Sequence, residues 1–269
     1  MANKAYKVVI VEGERREVGI FDLINEFYFK DSIKLIALPA GKNIYMLWSE
    51  LKKDEYQTDI VELLRESNSN AKKILNGLSR DDIDEVYLFF DYDAHQNNLS
   101  STTDISPNEV IEEMLDVFDN ETEHGKLYIN YPMIESIRDF SNDSCNPFTK
   151  GCVWDLTRGK EYKTLSGENN KNALLGEFII DDWRDLIAFF LMRIGCLFDY
   201  NRMPEYSFYR KNIEAKTIYE QQKEKYIKDN KVFILSAIPE FLLDYHKEEF
   251  WRGMVRARKK LKPNNNCMK

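Results

Sequence analysis

Residues 6–13 read YKVVIVEG and residues 85–93 read EVYLFFDYD. Each is a short run of β-branched or aromatic residues that stops abruptly at acids: Glu12-Gly13 in the first, Asp91-Tyr92-Asp93 in the second. Unbroken apolar runs of this length, bounded by turn residues, predict strands buried on both faces, as inside parallel sheets. Between and beyond them the spacing alternates. Val18, Phe21, Leu23, Ile24, Phe27, Tyr28 and Phe29 follow a helical spacing over 16–29. Residues 34–38 (KLIAL) are a further strand, ended by Pro39 and Gly41. Residues 43–76 read as one or two helices with Ile60, Leu63 and Leu64 on one face, and the polar stretch 97–106 as a loop. Ser106-Pro107, with Glu109 in the first turn, starts a helix that runs to about Phe118. Gly125 precedes a fourth strand over 126–130.

Strand and helix in alternation predict an α/β fold over 1–140, a mostly parallel sheet flanked by helices. Such sheets bind ligands beyond the carboxyl ends of their strands. After residue 140 the pattern changes. Residues 141–151 are polar and read as a linker. Helices are expected over 181–198 (apolar), 211–229 (charged) and 248–260 (basic), with 232–245 apolar and Pro239 near a break. Residues 141–269 therefore read as a mainly helical domain with a basic C-terminal tail.

Composition narrows the field. With 43% hydrophobic and 31% charged residues among 269, disorder, collagen and a coiled-coil rod are excluded. The most apolar stretch, 183–198, carries Arg184, Asp185 and Arg193 and is too short to span a bilayer. Met1-Ala2-Asn3-Lys4 runs into a strand rather than an apolar leader, so a cytoplasmic protein with no membrane contact is expected. Cys145, Cys152, Cys196 and Cys267 form no CxxC pair, which argues against a zinc site and a disulfide framework. Charge is uneven: residues 1–140 hold 15 basic against 28 acidic residues, residues 141–269 hold 23 against 18. From Arg252 to Lys269 there are seven basic residues and no acid. Arg252, Arg256, Lys259 and Lys260 recur at helical spacing, either as a stripe touching phosphates or as a solvated basic end.

The chemistry resides in the acids. In an extended chain Asp91 and Asp93 point the same way. Carboxylates held together repel unless a cation lies between them, and oxygen donors favour Mg²⁺ or Mn²⁺. Gly13 permits a tight turn, so a substrate phosphate can approach the backbone and the helix start beside Arg15 and Arg16. His95, two residues past the DxD, is either a further metal or phosphate contact or a solvent-facing loop residue.

The pairing of VVIVEG (8–13) with LFFDYD (88–93) resembles the Toprim domain of topoisomerases, bacterial primases, ribosomal-RNA maturases and OLD-family nucleases. The resemblance covers about the first 135 residues. It implies a compact α/β unit in which Glu12, Asp91 and Asp93 cooperate around Mg²⁺. Glu12-Gly13-Glu14-Arg15-Arg16-Glu17 looks more like the EGxxTE variant of small defence-associated Toprim proteins of the RloB type, which adds Glu17 as a candidate ligand. Tyr131-Pro132-Met133-Ile134-Glu135 is similar to a Pro-aromatic-Glu stretch of the same proteins and adds Glu135, expected in the first turn of a helix. Size and helical appendage also resemble the toxic effector of the PARIS system.

The resemblance implies a Mg²⁺-dependent nuclease hydrolysing phosphodiester bonds in DNA or RNA, tRNA included, as a toxic effector of antiphage defence. A regulatory partner such as an ATPase and self-association are consistent with it. The chain lacks topoisomerase gate domains and a primase zinc module. The alternative is a non-catalytic module that binds nucleic acid or a partner protein. No GxxxxGK[ST] loop is present, which removes a P-loop ATPase.

Overall fold

The computed structural model describes residues 5–29, 33–92, 99, 105–139, 152–159, 161–168, 175–200 and 202–257. The chain divides into two compact units, Met1–Tyr128 and Ile129–Lys269. The stretch 141–151, read as a linker, and most of the loop 97–106 lie outside the described residues.

In the first unit β1 (Ala5–Val11) lies between β2 (Ile33–Pro39) and β3 (Ile83–Asp91) and runs parallel to both. The five-stranded order is β2-β1-β3-β5-β4. Here β5 (Gly125–Asn130), in which the division between units falls, is the fourth strand expected over 126–130; β4 (Asp119–Asn120), which pairs antiparallel with it at the edge of the sheet, was not foreseen. Val8, Val9, Ile10 and Val11 are completely buried, as expected of a strand covered on both faces. Helices α1 (Arg16–Tyr28), α2 (Ile44–Leu51), α3 (Ile60–Ser67), α4 (Ser69–Ile74) and α5 (Pro107–Val117) complete the unit. The expected α/β architecture with a mostly parallel, helix-flanked sheet is therefore present. On α1 the buried face is Ile20, Phe21 and Ile24, and Phe21 meets Phe89 edge-on at 4.7 Å.

Residues 43–76 form three α-helices rather than one or two, because each start has its own cap. The side chains of Asn43, Asp59 and Asn68 accept from the first free N–H groups of α2, α3 and α4. Ser106 and Glu109 form the capping box expected at the start of α5. One charge lies deep in the sheet. Lys7, 7% exposed, stands directly opposite Glu85 and pairs with it, and Tyr87 donates its hydroxyl to the same carboxylate at 2.5 Å.

The second unit is mainly helical. It contains β6 (Val153–Asp155), α6 (Glu161–Leu165), α7 (Ile180–Leu197), α8 (Tyr206–Asn212), α9 (Ala215–Lys225), β7 (Lys231–Phe233) and α10 (Ala237–Ala257). β6 and β7 pair antiparallel, an element the sequence reading did not foresee. The charged region 211–229 is two helices parted by extended Ile213, where Thr217 accepts from the Glu214 N–H at 3.0 Å. Pro239 breaks nothing. It sits in the first turn of α10, where an N–H would have no intrahelical partner, so one continuous helix replaces the two expected segments. Among the described residues no helix is long and apolar enough to cross a membrane.

The core of this unit holds charge. Arg193 of α7 faces Asp139 at 3.5 Å with both nearly sealed from solvent, and donates to the Ile234 carbonyl at 2.9 Å. Tyr162 donates its hydroxyl to Asp139 at 3.2 Å, and burial first, then the Asp139 charge, raises the phenol's pKa well above its ordinary value. Gln222 joins α9 to β7 by accepting from the Phe233 N–H and donating to the Phe233 carbonyl.

Two glycines on helices should respond oppositely to alanine. At Gly195 of α7 a Cβ would run into the Arg202 carbonyl oxygen, whereas at Gly19 of α1 nothing lies within 4 Å. Gly195→Ala is expected to destabilise by about 3 kcal/mol, and Gly19→Ala to stabilise by about 0.5–1 kcal/mol. Urea midpoints at constant m-value are the check.

Candidate active site at the carboxyl edge of the sheet

The last paired residues of β1 and β3 are Val11 and Phe89. Glu12 follows the first at once, and Asp91 ends β3 two residues past the second. Because the strands are neighbours and parallel, both acids leave the sheet at one edge, on chains about 4.8 Å apart. Glu12 is half-buried, with its Oε2 sealed from solvent, and Asp91 is half-buried as well. Asp93 and His95 lie outside the described residues.

Gly13 serves a purpose different from the one expected. The space above its α-carbon is filled by a side chain of the protein itself: a Cβ there would lie 2.5 Å from Glu17 Oε2 and 2.8 Å from Oε1. Glu17, second residue of α1, thus folds its carboxylate back onto the turn that follows Glu12. The spacing Glu12-Gly13-x-x-x-Glu17 brings two acids to one turn, with glycine making the room. Arg15 and Arg16 are exposed at the helix start, and Arg15 provides no side-chain cap.

The neighbouring turn is stitched to this one. Ala40 and Gly41 donate their N–H groups to the carbonyls of Val11 and Glu12 at 2.8 and 3.1 Å, and Gly41 needs its positive φ of 66° to do so. Asn68 caps α4 with its oxygen and donates its amide to the Pro39 and Ala40 carbonyls, both at 3.1 Å. Asn70 reaches Glu14 at 3.4 Å. Beyond β3, Tyr92 is buried, which raises the pKa of its hydroxyl and keeps it a donor; it bonds Asn108 of α5 at 2.9 Å. The cap role of Asn68 was readable from its place before a helix. Its reach back to the end of β2 was not, because nothing local encodes it.

The remaining candidates belong to the second unit. Glu135 belongs to the second unit, in a short 3₁₀ turn (Ile134–Arg138), 2% exposed, with Lys163 at 3.8 Å. Arg252 is exposed and pairs with Glu248 at 2.6 Å. Arg256 lies on α10 with its side chain outside the description, and Lys259 and Lys260 lie outside the described residues. Among the described residues no group of three or more His, Cys, Asp or Glu side chains is arranged to hold a metal ion. The donors at the edge, Glu12, Asp91 and Glu17, are carboxylates alone, a set suited in kind to a hard divalent cation. Comparison of the chain with protein-family models, with curated proteins and with solved structures finds no match in any of the three.

Asn68 offers a structural test of the stitching. Asn68→Ala should destabilise by about 2 kcal/mol, from the lost cap and the lost carbonyl bonds together. Asn68→Asp keeps the cap but turns an oxygen toward two carbonyls, so its urea midpoint is also expected to fall below wild type.

Proposed function

We propose that the chain is a nuclease of the Toprim type that hydrolyses phosphodiester bonds with the help of Mg²⁺ or Mn²⁺. The observation that carries this reading is the shared exit of Glu12 and Asp91 from adjacent parallel strands, with the Glu17 carboxylate folded onto Gly13 between strand and helix. The resemblance of residues 8–13 and 88–93 to Toprim motifs supports it. Asp91 and Asp93, with Glu12, are the groups that would hold the cation, and Glu17 and Glu135 are further candidates. When bound, the cation supplies Lewis-acid stabilisation of charge developing on phosphoryl oxygens. Glu12, half-buried beside the turn, is the group to accept a proton from attacking water. Arg15 and Arg16, exposed at the start of α1, and His95 are the groups to hold the flanking phosphates. A role as a toxic antiphage effector, with tRNA as one substrate and a regulatory ATPase or a second copy as partner, is supported by the resemblance alone. The surplus of acids over residues 1–140 opposes tight sequence-independent binding to a polyanion, and the second reading is a module that binds nucleic acid or a partner protein without cutting.

Purified protein incubated with plasmid, single-stranded DNA and total tRNA in Mg²⁺ or Mn²⁺ distinguishes these. Glu12→Ala and Asp91→Ala should each lower cleavage by about 100-fold or more at an unchanged thermal midpoint. Gly13→Ala should mimic Glu17→Ala, since either removes that carboxylate from the turn. Cleavage untouched by the Glu12 and Asp91 substitutions overturns the reading. Calorimetric metal uptake without cleavage of any substrate selects the binding module.

A further inference from the structure

We infer that Tyr92 is a positioning residue for the acidic edge: the bond from its hydroxyl to Asn108 sets where the Asp91 carboxylate stands beside Glu12, and with it the grip of the edge on a divalent cation. This rests on the metal-assisted reading proposed above. The two acids are held in different ways. The backbone at Glu12 is fastened from outside its own strand, since Ala40 and Gly41 donate to the carbonyls of Val11 and Glu12 at 2.8 and 3.1 Å. Asp91 lies two residues past Phe89, where the pairing of β3 with β1 ends, so that ladder alone does not place it. Its neighbours do. Phe90 and Tyr92, on either side of it, are both buried, Tyr92 at 3% exposure, while Asp91 between them is half-buried. This is the alternation expected of extended chain, with the two rings on one side and the carboxylate on the other.

A buried ring packs, but only its hydroxyl fixes one position along the helix it meets. The Tyr92 hydroxyl donates to Asn108 Oδ1 at 2.9 Å. Burial raises the pKa of the phenol, so it stays protonated and remains a donor near neutral pH. Its partner is itself fixed. Asn108 is the second residue of α5, inside the capping box of Ser106 and Glu109, and Val110 and Ile111 just after it are completely buried. The residue after Asp91 is therefore tied to a helix anchored in the core. At 3% exposure the ring is out of a substrate's reach, so Tyr92 acts only through Asp91. Groups that orient metal ligands tune affinity without touching the metal, and their loss typically costs about 10- to 100-fold.

Calorimetry with Mn²⁺ and with Mg²⁺, on the full chain without nucleic acid, reads the affinity directly. Uptake lost in Glu12→Gln and in Asp91→Asn locates the cation at the edge. Tyr92→Phe keeps the ring and removes the oxygen, and should weaken cation binding about 10-fold. Asn108→Ala should reproduce it, and the double variant should bind no more weakly than either single one, as expected of groups that act through one bond. Tyr56→Phe is the control. It removes a hydroxyl that donates to Glu113, further along the same helix, at 2.6 Å. A purely structural role for such bonds predicts that both tyrosine variants lower the urea midpoint and neither moves the affinity. The positioning role predicts a loss of affinity in Tyr92→Phe alone. If wild type binds the cation at the edge and Tyr92→Phe stays within about 2-fold of it, or Tyr56→Phe weakens binding equally, the positioning role is overturned and the metal-assisted reading stands. If wild type takes up no cation at the edge, both are overturned.

Discussion

Val8, Val9, Ile10 and Val11 touch no solvent on either face of the sheet, and this double burial governs the first unit. A strand enclosed in this way expels charge to its ends. At one end Lys7 remains inside only because Glu85 stands opposite and Tyr87 completes the carboxylate's hydrogen bonding. At the other end the first residue free of the constraint is Glu12. β3 obeys the same rule, with Val86 to Phe90 buried and then Asp91. Parallel direction turns two such rules into a site, since both acidic ends reach the same edge. In an antiparallel pair the same sequences would place their acids about 20 Å apart, a strand's length.

The edge is held by hydrogen bonds from a distance. Gly41 donates to the Glu12 carbonyl, Asn68 holds the carbonyls just before Gly41, and Tyr92 ties the exit of β3 to Asn108. None of these groups bears charge, so the turns are positioned without competing with the carboxylates for cations. The second unit solves a different problem. Its core accepts ions, with Arg193, Asp139 and Tyr162 completing one another. Such a core gains little stability from the pair itself, but leaving either ion alone inside is costly.

How much of this was legible depends on the range of the determinant. β1, β2, β3 and α5 are written locally, as apolar runs and as Ser106-Pro107 with Glu109, and they stand where the spacing puts them. The two acids at strand ends were legible for the same reason. Part of what escaped was decided by partners far along the chain. β6 has three residues, too few to show a period, and exists because β7 lies opposite. Pro239 reads as a break unless its place within the first turn of α10 is known. Gly13 reads as a turn residue until the Glu17 carboxylate is seen above it. The region 43–76 was under-divided although Asn43, Asp59 and Asn68 each mark a start. Those signals were present in the sequence and outweighed by the apolar pattern.

The Lys7–Glu85 pair has a consequence at the opposite end of the strands. A slip of β1 against β3 by two residues preserves which faces are apolar, so hydrophobic burial alone discriminates weakly against it. The same slip strands Lys7 beside an apolar or phenolic neighbour, a buried ion without its counterion. It would also carry Asp91 about 6.6 Å out of step with Glu12. The ion pair thus works as a gauge: its two charges meet only in the alignment that leaves Glu12 and Asp91 one residue apart in register, five and six residues further along their strands. The alignment of the acidic edge is set by a contact at the opposite end of the strands.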